Sequence, residues 1–313
     1  MEAGIAWVRA FEECHRRQQV RRHLIAAGVT AVSIGLVGAM TAISPALAGP
    51  VNVRGITTVT VTGAATAPAN DTSQAEAACG AGQLLVGGGY VIDGTSTDWQ
   101  VYIDAPLNTT TWLAELVNNG SQPLNYSAYA VCAETVAGKK GVTGYTTKVV
   151  NTAVNVPAND TGEADATCPA GDVLTGGGYE VTNVSSNWSI YLDAPTATGT
   201  WTAEIDNEVP LTTNYTSFAV CLAKTNSKPV TALASAGVDA GGTVPANSDQ
   251  AVDVSCGAHE VLLGGGYVMD SIGQDWLIAA TAPMASGEWQ VQADDLDSNS
   301  RQFSSVAMCL QKA

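Results

Sequence analysis

One pattern recurs three times in this chain at fixed offsets. Cys79, Cys168 and Cys256 are each followed 53 residues later by Cys132, Cys221 and Cys309. Between each pair come Gly-Gly-Gly-Tyr (Gly87 to Tyr90, Gly176 to Tyr179, Gly264 to Tyr267), then Trp99, Trp188 and Trp276. An Ala-Pro step and then Trp112, Trp201 and Trp289 follow, and no gap is needed to align the copies. Pro-Ala-Asn precedes each first cysteine, at Pro68, Pro157 and Pro245. A chain that repeats itself in this way folds as copies of one unit. The modules run over residues 53–137, 141–226 and 229–313, joined by short polar linkers with Gly, Lys and Pro that suit connectors between independent units.

Within a module the side chains alternate with period two. Ala75, Ala77 and Cys79 share one face while Glu76 takes the other, and Ala164-Asp165-Ala166 and Val252-Asp253-Val254 repeat the scheme. Trp99, Val101 and Ile103 alternate with Gln100, Tyr102 and Asp104. No stretch after residue 48 keeps a helical period over three turns, and Gly, Asn, Ser and Thr mark turns every eight to twelve residues. The expected fold is all-β: three tandem antiparallel β-sandwich-like modules of six or seven short strands, each with one internal disulfide. A glycine triplet inside a strand marks a bulge or a close backbone approach, where a Trp packs. It is not a phosphate loop, which needs a following Lys-Ser/Thr and a helix.

Residues 1–48 read as a leader. Arg16, Arg17, Arg21 and Arg22 precede an apolar run from Leu24 to Ile43, and Ala46 and Ala48 suit signal peptidase, leaving Gly49 as mature N-terminus. A membrane anchor is the alternative, weakened by Gly28, Gly35 and Gly38. The expected location is therefore secreted or extracellular, at or near the cell surface, with no membrane span after cleavage. Removing the leader takes away Cys14, His15 and His23, so the remaining cysteines are even in number and His259 is left alone. Exported cysteines in even number form disulfides. Pairing inside each module, Cys79–Cys132, Cys168–Cys221 and Cys256–Cys309, is the simplest, since identical contexts then form identical bonds. A zinc site would need closely spaced cysteines with His nearby.

Cys168-Pro169-Ala170-Gly171, the glycines Gly176 to Gly178, Trp188 and the closing Cys221 resemble a recurrent module of secreted bacterial, mainly actinobacterial, proteins. The resemblance covers all three copies. It departs at Gly80 and Gly257, which stand where that module has Pro, and at His259, which replaces a glycine. It implies secretion and a β-rich disulfide domain, and no activity.

Composition narrows the function class. The 313 residues carry 13 basic and 29 acidic side chains, a formal charge of −16, so a nucleic-acid partner is not expected. No catalytic residues, metal ligands or cofactor site are expected. His259 is single, and a Ser-His-Asp triad would need a nucleophile elbow that is absent. Asn70-Asp71, Asn159-Asp160 and Asn247-Ser248-Asp249 could offer oxygens to calcium, but Asx residues favour such turns without metal. The Trp residues are in phase with aliphatic ones and read as core rather than as sugar-stacking platforms. The candidate binding residues are Tyr102 with Asp104 and Tyr191 with Asp193, on the opposite, outward face of their strands; a plain solvated face is the alternative. The expected function is a non-enzymatic secreted repeat protein with a structural or adhesive role at the cell exterior; the alternative is a secreted carbohydrate-binding, lectin-like protein. The partners this points to are cell-wall or extracellular polysaccharide, or another surface protein.

Overall fold

The computed structural model describes residues 55–94, 98–136, 142–182, 187–225, 233–270, 276–284 and 287–312. The leader expected over residues 1–48 and most of the two linkers lie outside them. Among the described residues every regular element is a strand, and no helix is long and apolar enough to cross a membrane.

Each repeat contributes six strands. Repeat 1 holds β1 (Ile56–Ala67), β2 (Asp71–Ala78), β3 (Leu84–Asp93), β4 (Trp99–Pro106), β5 (Thr111–Asn118) and β6 (Leu124–Thr135). Repeat 2 holds β7 (Tyr145–Val156), β8 (Asp160–Thr167), β9 (Val173–Val181), β10 (Trp188–Ala197), β11 (Thr200–Asn207) and β12 (Thr213–Lys224). Repeat 3 holds β13 (Leu233–Val244), β14 (Ser248–Ser255), β15 (Val261–Met269), β16 (Trp276–Pro283), β17 (Glu288–Asp295) and β18 (Arg301–Lys312). The turn into the second strand of each repeat rests on Asn70, Asn159 or Asn247, with φ of 54°, 54° and 52°; a short Asx side chain tolerates this left-handed conformation.

The three disulfides pair as expected, Cys79–Cys132, Cys168–Cys221 and Cys256–Cys309, each across 53 residues. Closing a loop of that length removes unfolded-state entropy worth about 4 kcal/mol. Replacing Cys79 and Cys132 together by Ala should lower the thermal midpoint by roughly 10 °C, which calorimetry would read.

The repeats are not separate bodies. Each divides its strands between two half-sheets, and each half-sheet continues into a neighbour. The resulting antiparallel sheets run β1-β6-β3-β16-β17-β14, β2-β5-β4-β9-β12-β7 and β13-β18-β15-β10-β11-β8. The joins are equivalent: Thr281 stands opposite Tyr90, Asp104 opposite Tyr179, and Asp193 opposite Tyr267. Repeat 1 thus joins repeat 2, repeat 2 joins repeat 3, and repeat 3 joins repeat 1, which closes a pseudo-threefold ring.

The glycine triplets make this closure possible. At the first position, a Cβ on Gly87 would stand 2.8 Å from Gly264 Cα, and one on Gly176 3.0 Å from Gly87 Cα, so these three meet at the axis. At the second, a Cβ on Gly88, Gly177 or Gly265 would run into the indole of Trp112, Trp201 or Trp289. At the third, a Cβ on Gly89, Gly178 or Gly266 would overlap the carbonyl oxygen of Thr281, Asp104 or Asp193 on the neighbouring repeat. The close approach read from the triplets is real, and two of its three parts lie between repeats. Trp112, Trp201 and Trp289 are fully buried and fill the space that the glycines leave.

Candidate functional site

The strands that line the axis also place an aromatic pocket on it. After each glycine triplet comes a buried Tyr whose hydroxyl donates to a main-chain carbonyl of the next repeat. Tyr90 reaches Ile278 O at 2.8 Å, Tyr179 reaches Val101 O at 3.3 Å and Tyr267 reaches Ile190 O at 3.4 Å. Burial, then the neighbouring hydroxyls and carboxylates, push all three hydroxyls well above the ordinary tyrosine range, so they stay protonated donors. Above them lies a cavity of about 300 Å3 bordered by Trp99, Trp188 and Trp276. Because equivalent residues of all three repeats line it, it lies on the pseudo-threefold axis.

The six tryptophans of the repeats therefore divide. Trp112, Trp201 and Trp289 are core, as expected. Trp99, Trp188 and Trp276 pack almost as deeply but border the cavity. Here the repeats cease to be alike: Gln100, Ser189 and Leu277 occupy one position, and Asn119 and Leu296 stand at the mouth from repeats 1 and 3. Gln100 donates through Nε2 to Trp188 O at 2.5 Å, which links repeats 1 and 2. Its Oε1, together with Ser189 Oγ and Trp276 Nε1, is buried without a hydrogen-bond partner among the described residues. Such atoms are few in native interiors, and three of them belong to residues that line this cavity.

The residues expected to bind, Tyr102, Asp104, Tyr191 and Asp193, are not on an outward face. Asp104 is 2% exposed and Asp193 1%. The reason is a one-residue bulge. Val101 pairs with Leu116 but Ile103 pairs with Glu115, so Tyr102 is unpaired and the alternation reverses after it. Repeat 2 does the same between Ile190 and Leu192, around Tyr191. Trp99 and Val101 face inward before the bulge, and Asp104 faces inward after it. Tyr102 is also buried, with its hydroxyl bonded to the Glu115 carboxylate. The structure places Asp104 and Asp193 near the axis, where each accepts from a core indole: Trp112 Nε1 at 2.7 Å and Trp201 Nε1 at 2.6 Å. Repeat 3 uses Thr281 Oγ1 for Trp289 Nε1 at 3.1 Å, so a neutral acceptor suffices.

These two carboxyls are held above their usual range. Burial raises Asp193 to about 7 against the opposing hydrogen bond from Trp201. Burial, and then the charge of Asp193, raise Asp104 well above the ordinary value. In the unfolded chain both titrate near pH 4. Between that pH and 7 the folded state holds protons that the unfolded state has released, so stability falls as pH rises through this window. The slope is about 1.4 kcal/mol per pH unit for each such group. Urea midpoints should therefore decrease from pH 5 to pH 8, and Asp104→Asn with Asp193→Asn should flatten that decrease.

In two of the Asx turns one carboxylate oxygen is engaged locally: Asp71 Oδ1 accepts from Thr72 N, and Asp160 Oδ1 from Thr161 N. His259 stands exposed in its turn. Among the described residues, the group with metal-like spacing is Cys256, Glu260 and Cys309, whose sulfurs are joined in a disulfide. Sequence reasoning missed the axial pocket. Its available signal was Gly-Gly-Gly-Tyr and the first Trp recurring in every copy, more aromatic material than one small sandwich needs. In comparisons with known proteins, no family model matches the chain and no curated protein sequence matches it.

Proposed function

We propose that this chain is a non-enzymatic, exported repeat protein with an adhesive role at the cell exterior, which grips its ligand in the axial pocket. The observation that carries this reading is the set of unpartnered polar atoms, Ser189 Oγ, Trp276 Nε1 and Gln100 Oε1, bordering an aromatic cavity. A pocket of mostly apolar lining with a few convergent polar groups is the usual form of a ligand site. The three disulfides suit an oxidising compartment, and the acidic surface keeps a secreted protein soluble. The resemblance to modules of secreted bacterial proteins agrees with export.

The second reading, a secreted carbohydrate-binding protein, is favoured by one feature: three indoles border the same cavity. The test is retention of labelled protein on envelope fractions of the producing cell, with Ser189→Leu beside it. Retention that Ser189→Leu removes supports an adhesive role through the pocket. Retention untouched by the variant points to a purely structural role, and no retention on any fraction overturns adhesion.

A further inference from the structure

Resting on the reading of the pocket as a ligand site, we infer that it takes a single neutral sugar ring, one per chain rather than one per repeat. Charge comes first. Among the described residues no Lys, Arg or His lines the cavity, and the carboxylate that does, Asp98, is exposed. Arg301 stacks on Trp276 at 5.3 Å but is engaged by Asp297 at 2.5 Å. An anionic ligand would enter without a counter-charge and against the acidic surface.

The unpartnered atoms exclude the opposite case. An alkylammonium group would suit the aromatic walls. It would, however, leave the Trp276 Nε1–H donor without an acceptor, at the cost of a buried unsatisfied group. A polyol serves them all. Its oxygens accept from Trp276 Nε1 and Ser189 Oγ, and a hydroxyl donates to Gln100 Oε1.

Size and asymmetry complete the argument. About 300 Å3 is the lower end of the range for ligand pockets and suits one ring. Repeats 1 and 2 supply most of the polar groups, through Gln100, Asn119 and Ser189, and repeat 3 adds Trp276 Nε1. Repeat 3 offers Met269, Leu277 and Leu296 on its side. A pyranose has this division, with hydroxyls at its rim and a C–H face that packs on apolar surface. All three repeats share this cavity, so together they build one site.

The test is a calorimetric and tryptophan-fluorescence titration of the whole exported chain with neutral methyl hexopyranosides and N-acetylglucosamine, beside glucuronate and choline. The expected result is saturable binding of a neutral member at one ligand per chain. Ser189→Leu and Gln100→Leu should each weaken it about fivefold or more. Both introduce the residue that repeat 3 already carries, at Leu277; a cooperative unfolding transition confirms that they fold, at a lower midpoint for Gln100→Leu, which loses its bond to Trp188 O. Binding of choline or glucuronate in preference, two or three sites per chain, or indifference to both variants overturns the inference. So does the absence of binding by every neutral glycoside. Export and envelope retention are read separately, so adhesion survives if only the sugar fails, and the sugar survives if only export fails.

Discussion

Gly178→Ala is expected to unfold the protein or to cost at least about 4 kcal/mol, although it adds one methyl group. The new Cβ would stand 1.9 Å from the carbonyl oxygen of Asp104 and 3.2 Å from Ala105 Cα. Both belong to the main chain of β4, which pairs with β9 at this point. A flexible side chain can move aside, whereas a paired strand yields only by opening the join between repeats 1 and 2. Ordinary overpacking costs 1–3 kcal/mol because neighbours repack, and that route is closed here. Gly241→Ala is the control: its Cβ meets nothing nearer than Ser304 Oγ at 3.8 Å and it lies on an exposed position. It should stay within about 0.5 kcal/mol of the parent. Urea unfolding followed by tryptophan fluorescence compares the two, and equal midpoints would refute the close-packed join.

The second large effect concerns a repeat on its own. Residues 229–313 expressed alone should not persist as a folded monomer but should form a homotrimer. In the intact chain the inner edge of β15 is covered by β10, and that of β16 by β3. Cutting repeat 3 free exposes both edges and removes the two glycine strands that meet Gly264 at the axis. All three joins use equivalent residues, with Thr281 on Tyr90, Asp104 on Tyr179 and Asp193 on Tyr267. Copies of repeat 3 can therefore reproduce each one head to tail, by Thr281 on Tyr267 of the next copy. A heterologous contact whose rotation closes gives a ring. Repeat 3 is the favourable choice because Thr281 spares its trimer three buried acids. Repeat 2, with Asp193, would bury three carboxyls at this place and should trimerise less readily, the more so as pH rises. Sedimentation equilibrium decides the matter, and a stable, folded monomer of repeat 3 would contradict the account of closure.

Much of the architecture was legible because it depends on neighbours in sequence or on repetition. The alternation through Ala75 and Ala77 identifies an inward strand face, and both residues are buried. The recurring cysteine offset implies three equivalent bridges, and those are the ones present. The period-two rule then misled at a single residue. Carried past Trp99 without interruption, it puts Asp104 outside; the bulge at Tyr102 brings it in. Nothing local to Trp99–Asp104 announces a bulge, because the extra residue is defined by what the opposite strand does.

Strand content, copy number and cysteine partners belong to the chain read as a line, since short-range sterics and internal repetition are enough to specify them. Which sheet edge meets which is a different kind of fact. It depends on strands nearly two hundred residues apart, as when the Tyr90 hydroxyl reaches Ile278 O, and on voids left where side chains are missing. The axial cavity has no counterpart in any one repeat. It exists only because three bodies close around a line, and the differences among Gln100, Ser189 and Leu277 acquire meaning only once closure brings them face to face.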